Sequence, residues 1–209
     1  MPTPPRATEL ANSVVQLRPA ALGDAEALFA AISDERVWAA GYAGGPAARP
    51  VDVAGMRSLL EAAVSAGLRG ERQAYVVRLA PGADGLGLGP AGTVVGTSSL
   101  GEWDLVNERV HLGWTAYGPP WWGTAVNPAC KLALLGHAFD DCGFGRVKIQ
   151  TDLINERSQA GIAKLGATRE GVLRRHLRRA DGTWRDTVVF SVLRGEWPRV
   201  RAGLEARLP

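Results

Sequence analysis

The sequence predicts an α/β (α+β) protein with a mixed, mainly antiparallel central sheet of about seven strands and helices on both faces. Segments with strand periodicity and segments with helical periodicity follow one another in the order β-α-α-β-β-β-α-β-α-β-β-α. Three consecutive strand-like segments, residues 74–79, 93–100 and 109–117, have no helix between them. Such strands must be antiparallel neighbours, because a parallel connection needs a long crossover. The 46% of hydrophobic residues is typical of a globular chain.

The first third of the chain is predicted to supply one strand and two helices. Residues 1–12 are interpreted as a flexible N-terminal tail, and residues 13–209 as a single domain. A short strand over 14–17 precedes Arg18-Pro19. Asp24 is a candidate N-cap for the first helix, and Asp52 for the second.

The middle of the chain contains a glycine motif that we interpret as a flexible loop. Gly87, Gly89 and Gly92 match G-x-G-x-x-G, the dinucleotide fingerprint. That fingerprint must open a helix, because the pyrophosphate lies on the helix N-terminus. Here the strand beginning at Thr93 follows instead, so a dinucleotide site is not expected. The next two strands form a hairpin across the polar residues 104–108.

The last third of the chain is predicted to alternate helices and strands. The predicted elements are a helix over 128–140, a strand over 146–151, a helix over 155–165, a hairpin of strands 171–178 and 185–193, and a helix from Pro198. Gly166 ends the second of these helices, and Asp181-Gly182 forms the hairpin turn.

Charge and hydropathy exclude two classes of partner. The 24 Lys and Arg against 21 Asp and Glu give a net charge of only +3, and no stacking-aromatic motif accompanies the arginines, so no nucleic-acid partner is expected. Six arginines do cluster near the C-terminal hairpin: Arg169, Arg174, Arg175, Arg178, Arg179 and Arg185. We interpret them mainly as solubilising residues, and the alternative is recognition of an acidic acceptor or of a cofactor phosphate. No apolar run approaches the roughly 18 residues of a membrane span, so no membrane partner is expected.

The two cysteines indicate a reducing compartment. Cys130 and Cys142 lie in or beside one predicted helix, where twelve residues span about 18 Å. A disulfide requires Cα atoms within about 7 Å. Free thiols, together with an N-terminus that has no apolar signal region, predict a cytoplasmic protein.

The segment Trp121–Lys131 carries the most informative motif. Asn127 is expected to be the N-cap and Pro128 the first residue of a helix, and residues 123–126 before them are small or slender. Free amides and the helix dipole would form an anion site there, with Lys131 close to the anion. The alternative is an ordinary capped helix on which Lys131 extends its amine to solvent.

A second strand-Asn-helix segment completes a resemblance to a known family. Asn155-x-x-Ser158 with Lys164-Leu-Gly166 follows a strand, and Arg169-Glu-Gly-Val-Leu-Arg174 runs on to Asp181-Gly-x-x-Arg-Asp186. Together with Trp122–Asn127, these motifs resemble the GNAT superfamily of acyl-CoA-dependent N-acyltransferases. They are most similar to the branch of ribosomal-protein N-terminal (RimJ/RimL-type) acetyltransferases, over roughly residues 14–198.

The resemblance implies a coenzyme A site with acetyl-CoA as acyl donor and no metal, and a larger donor such as succinyl-CoA stays an alternative. The positions that match the family's pyrophosphate loop are Trp122, Gly123, Thr124, Ala125, Val126 and Asn127. Trp122, Ala125 and Asn127 depart from the R/Q-x-x-G-x-G/A pattern. The pantetheine arm is expected along the strand end at Thr115–Tyr117 and beside Asn155, so the predicted cofactor contacts also include Tyr117, Lys131, Asn155 and Ser158. The implied acceptor is an amine, either a peptide N-terminus or a small molecule, and a homodimer is compatible with the family.

The chemistry requires a neutral amine and a protonated leaving thiol. His111 occupies a position where relatives often carry a carboxylate, so it is the candidate general base, with Glu102 and Glu108 as rivals. Alternatively, His111 is a structural histidine. Many relatives protonate the thiol with a Tyr at the position of Ile162, which cannot donate, so Ser158 is the candidate donor. A catalytically silent acyl-CoA-binding or regulatory module is the alternative function.

Overall fold

The computed structural model describes residues 1–209 and contains one sheet of eight strands. The strands are β1 (Leu10–Ala11), β2 (Val15–Pro19), β3 (Arg72–Leu79), β4 (Val94–Asp104), β5 (Arg109–Tyr117), β6 (Arg146–Asp152), β7 (Thr168–Arg178) and β8 (Trp184–Leu193). Their spatial order is β1-β2-β3-β4-β5-β6-β8-β7. Only β5 and β6 pair in parallel. The predicted mixed, mainly antiparallel sheet is confirmed, with β1 as the additional strand.

The N-terminal segment is held against the body of the protein. β1 pairs with β2, and the amide of Thr3 donates to the carbonyl of Cys142 at 2.8 Å. The hydroxyl of Tyr75 donates to the carbonyl of Arg6 at 3.2 Å. The expectation of a flexible tail over residues 1–12 is therefore wrong for these positions, because a two-residue strand is too short to give a periodic signal.

Six helices cover both faces of the sheet; cover on both faces is predicted from the sequence, whereas the short helix Glu35–Ala39 is not. They are α1 (Ala25–Ile32), α2 (Glu35–Ala39), α3 (Val53–Leu68), α4 (Val126–Gly136), α5 (Glu156–Lys164) and α6 (Trp197–Glu205). Leu28 of α1 and Met56 of α3 belong to a buried cluster on one face, and Leu134 of α4 and Leu204 of α6 belong to a second cluster on the other face. None of the helices has the length and apolarity that crossing a membrane requires.

The cover on both faces explains why β3 is a continuous apolar run. Tyr75, Val76 and Val77 are all fully buried, although consecutive side chains point to opposite sides of a strand. Asp52 caps α3 as predicted, since its Oδ1 accepts from the amide of Gly55 at 2.8 Å. Asp24 precedes α1 without capping it, because its carboxylate accepts from Ala21 and pairs with Arg78 instead.

The start of α4 differs from the sequence expectation. The helix begins at Val126 rather than Pro128, and Ala125 is the residue that precedes it, so Asn127 is not the N-cap. The hydroxyl of Thr124 accepts from the amide of Val126 at 3.3 Å. A threonine three residues earlier thus takes over the capping role, which leaves the Asn127 side chain free. The helix ends in a π-type turn over His137–Asp141 rather than continuing to Asp140 as α-helix.

The parallel pair β5 and β6 separates partway along its length. The two strands are in register only from Arg109↔Arg146 to Leu112↔Ile149, yet β5 continues to Tyr117 and β6 to Asp152. From Gly113 onward, the side of β5 that faces β6 therefore has no partner strand. The opening between the strands leads to the site described next.

Candidate active site

A cleft of about 790 Å³ begins where β5 and β6 diverge and reaches the N-termini of α4 and α5. It brings together most of the residues singled out from the sequence. Those that line it are His111, Tyr117, Trp122, Gly123, Thr124, Asn127, Lys131, Asn155 and Ser158. Ala125 and Val126 do not line it, and the side chain of Val126 is fully buried in the core.

The N-terminus of α4 presents free backbone donors to this cleft. The amides of Gly123, Thr124, Ala125 and Asn127 donate to no acceptor in the protein, whereas Val126 donates to the Thr124 hydroxyl. Gly123 adopts a φ of 77°, a conformation that favours glycine. Four unpaired amides beside the positive end of a helix dipole are the kind of arrangement that accommodates an anion, so this helix start is the candidate anion site.

Tryptophans hold the loop that carries these amides. The indole of Trp122 donates to the carbonyl of Tyr117 at 2.7 Å, and that of Trp121 donates to Leu88 at 3.0 Å. The guanidinium of Arg157, on α5, lies 3.4 Å from the centre of the Trp122 ring. Trp122 stands where relatives carry Arg or Gln, and here it brings a cation from another helix to the edge of the cleft.

A β-bulge shapes the free edge of β5. The register passes from Ser99↔Gly113 to Thr97↔Ala116, so two residues, Trp114 and Thr115, lie opposite Ser98. Trp114 has a φ of 50°, which is strained for a residue with a side chain. The bulge bends β5 away from β6, and the backbone groups beyond it can pair with an extended ligand.

His111 faces the cleft rather than the opposite face of the sheet. Its neighbours Val110 and Leu112 are buried in the cluster under α4, so the imidazole points to the other side, as strand alternation predicts. The ring is 4% exposed, and a Cβ on Gly113 would lie only 2.5 Å from its Nε2. The glycine at 113 therefore makes room for the imidazole.

The rival base Glu102 turns out to be the neighbour of His111. Its Oε2 lies 3.4 Å from Nδ1 of His111 and accepts from Lys148 at 2.7 Å. The contact with His111, followed by the hydrogen bond from Lys148, lowers the pKa of Glu102 to about 2. Burial lowers the pKa of His111 below its usual value, while the Glu102 carboxylate opposes that shift. His111 is thus neutral at neutral pH and beside an ionised carboxylate.

Glu108, the other rival, does not line the cleft. It is exposed in the β4–β5 turn, where its carbonyl accepts from the amides of Gly145 and Arg146. The structure therefore brings one of the two carboxylates to His111 and keeps the other away.

Lys131 is buried rather than extended to solvent. Its side chain crosses from α4 to β5, where Nζ donates to the hydroxyl of Thr115 at 3.1 Å. Burial lowers its pKa to about 8. The amine therefore reaches the middle of the cleft, near the bulge, rather than the free amides at the helix N-terminus.

Asn155 and Ser158 stand at the start of α5. The side chain of Asn155 accepts from the amide of Ser158 at 3.0 Å and so caps the helix. No hydrogen bond within the protein uses the hydroxyl of Ser158, which leaves it available to a ligand in the cleft. Ile162, one turn later, is buried and lines the same cleft.

Unpartnered polar atoms concentrate in this cleft. Six buried side-chain atoms of the protein lack a hydrogen-bond partner, and five of them belong to His111 (both ring nitrogens), Tyr117, Gln150 and Arg185, which all line the cleft. The sixth is Nε of Arg78. Because buried polar groups are almost always paired in native proteins, their concentration marks a site built for a ligand.

Three features of the cleft were not predicted from the sequence: Gln150, Arg157 and a buried ion pair. In that pair, Nε of Arg179 lies 2.9 Å from Oδ2 of Asp152. It also interpreted the arginine cluster mainly as solubilising, whereas Arg178, Arg179 and Arg185 line the cleft. The register between strands brings these residues together, and no pattern among neighbouring sequence positions indicates that proximity. The structure contains no group of three or more His, Cys, Asp and Glu residues that could hold a metal ion.

Comparison with known proteins decides the family. A profile of the acetyltransferase (GNAT) domain matches residues 15–168, about three quarters of the chain. The chain belongs to the GNAT acetyltransferase family. As a GNAT protein, it is similar to YdaF of Bacillus subtilis (strain 168), which is provisionally named a ribosomal N-acetyltransferase. They share 32% identity over 107 residues, 51% of this chain and only 57% of YdaF, so the match spans little more than half of that relative.

Two solved structures show the extent of the fold. A provisionally named acetyltransferase from T. thermophilus shares 34% identity, covers 96% of this chain and 97% of its own, and has a TM-score of 0.78. A GCN5-related N-acetyltransferase from Brucella melitensis has a TM-score of 0.83, with coverage of 98% and 87%, at 23% identity. The GNAT fold therefore extends over almost the whole chain.

Proposed function

We propose that this GNAT protein transfers an acetyl group from acetyl-CoA to a primary amine, by direct attack of the amine on the thioester. One observation carries the proposal: a single cleft contains four free amides at a helix N-terminus, an unpaired strand edge and a buried histidine without a hydrogen-bond partner. These features suit, in that order, a pyrophosphate, an extended pantetheine arm and a reacting amine.

The residues that bind the donor are those at the free amides and the open edge of β5. Gly123, Thr124, Ala125 and Asn127 would donate their amides to the pyrophosphate. Residues Thr115–Tyr117 would pair with the amides and carbonyls of the pantetheine arm, and Asn155 would contact the same arm from α5. This arrangement directs the thioester towards His111, at the closed end of the opening between β5 and β6.

His111 would accept the proton of the attacking amine, either directly or through a water. As the nitrogen bonds to the carbonyl carbon, its proton passes to the imidazole, and the carbon–sulfur bond then breaks to release the thiolate. Glu102 orients the ring and stabilises the imidazolium that forms. Ser158 would hydrogen-bond the leaving sulfur, a role that Ile162 cannot fill. General-base catalysis of this kind contributes about 10²- to 10⁴-fold.

We infer that the acceptor is the α-amine of a peptide. The provisional name of YdaF points to ribosomal protein substrates for that relative. An α-amine also has a pKa near 8, so a buried histidine is a sufficient base for it. Cys130 and Cys142 are free thiols, which favours action in the reducing cytoplasm.

Thiol release from acetyl-CoA tests the proposal. Purified protein is incubated with acetyl-CoA and a panel of short peptides and alkyl amines, and the acetylated product is identified by its mass increase. We expect amine-dependent thiol release that His111→Gln reduces about 10²-fold. Coenzyme A binding without release for any amine would refute acetyl transfer and favour a silent acyl-CoA-binding module.

A further inference from the structure

The cleft is strongly cationic. Ten of its lining residues are charged, and eight of these are Lys or Arg. Lys131 lies on α4, and Arg157, Lys164 and Arg207 lie on α5 or beyond α6. Arg72, Arg178, Arg179 and Arg185 come instead from β3 and the β7–β8 hairpin. We assign this second group to the acceptor, because none of its members lies on α4 or α5, where the free amides and Asn155 are.

Both acids of the cleft are already paired. Asp152 receives Nε and Nη2 of Arg179, each at 2.9 Å, and Glu102 accepts from Lys148 at 2.7 Å. Neither carboxylate is therefore available to neutralise a further guanidinium.

Within the second group, Arg185 is the arginine that remains without a partner. Its side chain makes no hydrogen bond or ion pair in the protein, and its Nε is buried. Burial lowers its pKa, the neighbouring Asp152 opposes that shift and Arg179 adds to it. A half-buried guanidinium is stable only when an anion or other acceptors satisfy its donors, so the arrangement lacks an acceptor group.

Gln150 supplies the complementary unpaired group. Its Oε1 is buried and accepts from no donor in the protein. A carbonyl oxygen of this kind is suited to accept from an amine, whereas Arg185 is suited to donate to a carboxylate.

Strand register places the two groups in line with His111. His111 is paired with Lys148, and Asp152 with Thr187, so Gln150 and Arg185 lie on the same face of the sheet as His111. Gln150 comes directly after the point where β5 and β6 separate. Gln150 is paired with Val189, so Arg185 lies four residues further along the neighbouring strand β8, roughly 13 Å in the strand direction. The long side chains of Gln150 and Arg185 can reach towards each other and shorten that separation. The distance between their polar ends then suits a ligand whose anionic group lies a few bonds away from its amine.

We propose that the acceptor carries a carboxylate near its reactive amine, as in a peptide with an acidic residue close to its N-terminus. Arg185 binds the carboxylate, and Oε1 of Gln150 accepts from the amine and holds it beside His111. This inference rests on the proposed function, since it assigns the acceptor to the same cleft. It does not require turnover for its test.

Binding of charge-matched peptides measures the subsite directly. Three tripeptide amides, Ala-Glu-Ala, Ala-Gln-Ala and Ala-Lys-Ala, are titrated calorimetrically into the full-length protein saturated with coenzyme A. A charge-assisted hydrogen bond predicts that the Glu peptide binds the wild type about 10- to 100-fold more tightly than the Gln peptide. Arg185→Gln should abolish that difference and leave the Gln peptide within about twofold of the wild type. Arg185→Lys should keep part of the preference.

Arg174→Gln is the matched control. Arg174 is an exposed arginine of the same hairpin and does not line the cleft, so its loss should keep the full preference. Equal affinities for the Glu and Gln peptides, tighter binding of the Lys peptide, or a preference retained in Arg185→Gln would overturn the inference. Thiol release from acetyl-CoA is measured separately. If the protein prefers the Glu peptide but releases no thiol with any amine, the proposed function alone is contradicted. If it releases thiol but binds the Glu and Gln peptides equally, the acidic acceptor alone is contradicted.

Discussion

Replacement of Thr124 by proline tests the anion site at the start of α4. The amide of Thr124 has no acceptor in the protein, so its removal breaks no internal hydrogen bond. In the complex, the loss of one amide donor to a charged pyrophosphate costs about 1.5–3 kcal/mol. At about 1.4 kcal/mol per tenfold change, coenzyme A should bind about 10- to 150-fold more weakly. The proline ring adds bulk in the same place.

Thr124→Ala separates the amide from the hydroxyl. Both variants lose the hydroxyl that donates to the carbonyl of Trp121 at 2.8 Å and accepts from Val126, but only the proline variant also loses the amide. Calorimetric titration should therefore show near wild-type affinity for Thr124→Ala and weak binding for Thr124→Pro. Pantetheine, which lacks the pyrophosphate, should not distinguish them. A folded Thr124→Pro protein that binds coenzyme A as tightly as Thr124→Ala would refute the assignment.

Three further substitutions test the catalytic groups and the fold around them. His111 is the proposed base, and burial lowers its pKa, so kcat/KM should fall only below the ordinary histidine value of about 6.5. Glu102→Gln removes the anion that raises this pKa and should move the fall to lower pH. An unchanged pH profile would contradict the pairing of Glu102 with His111. Ser158→Ala should reduce kcat about tenfold with an alkyl amine. A variant that keeps the full wild-type kcat would show that the Ser158 hydroxyl does not assist departure of the sulfur. Asp152→Asn breaks the buried pair with Arg179 and should lower the free energy of unfolding in urea by about 2 kcal/mol. Arg201→Ala removes an exposed pair and should leave the free energy of unfolding near its wild-type value. Equal changes in the two variants would contradict the contribution of the buried pair.

The elements that local periodicity dictates could be predicted from the sequence. β5 begins and ends at the predicted residues, and Asn155 caps α5 as expected, because strand alternation and capping depend on neighbouring residues. The family motifs also indicated the cleft residues at the start of α4. Its first turn was misplaced because two polar residues, Thr124 and Asn127, compete for the cap, and only the backbone decides between them.

The acceptor end of the cleft could not be predicted from local patterns. Gln150 and Arg185 lie 35 positions apart, on strands that meet only through the register of β6 with β8. The contact between His111 and Glu102 could not be predicted from local patterns either, because Glu102 reaches the imidazole across the β4–β5 hairpin. In isolation each residue is an ordinary polar position of a strand. Their burial without partners becomes visible only in the folded chain.

A crystal structure of the protein with bound coenzyme A would show whether the opening between β5 and β6 holds the acyl donor. We expect pyrophosphate oxygens about 3 Å from the amides of Gly123, Thr124, Ala125 and Asn127, with the pantetheine arm along β5 and the thiol directed towards His111. Coenzyme A bound outside that opening, or with its thiol on the face of the sheet opposite His111, would refute the proposed site.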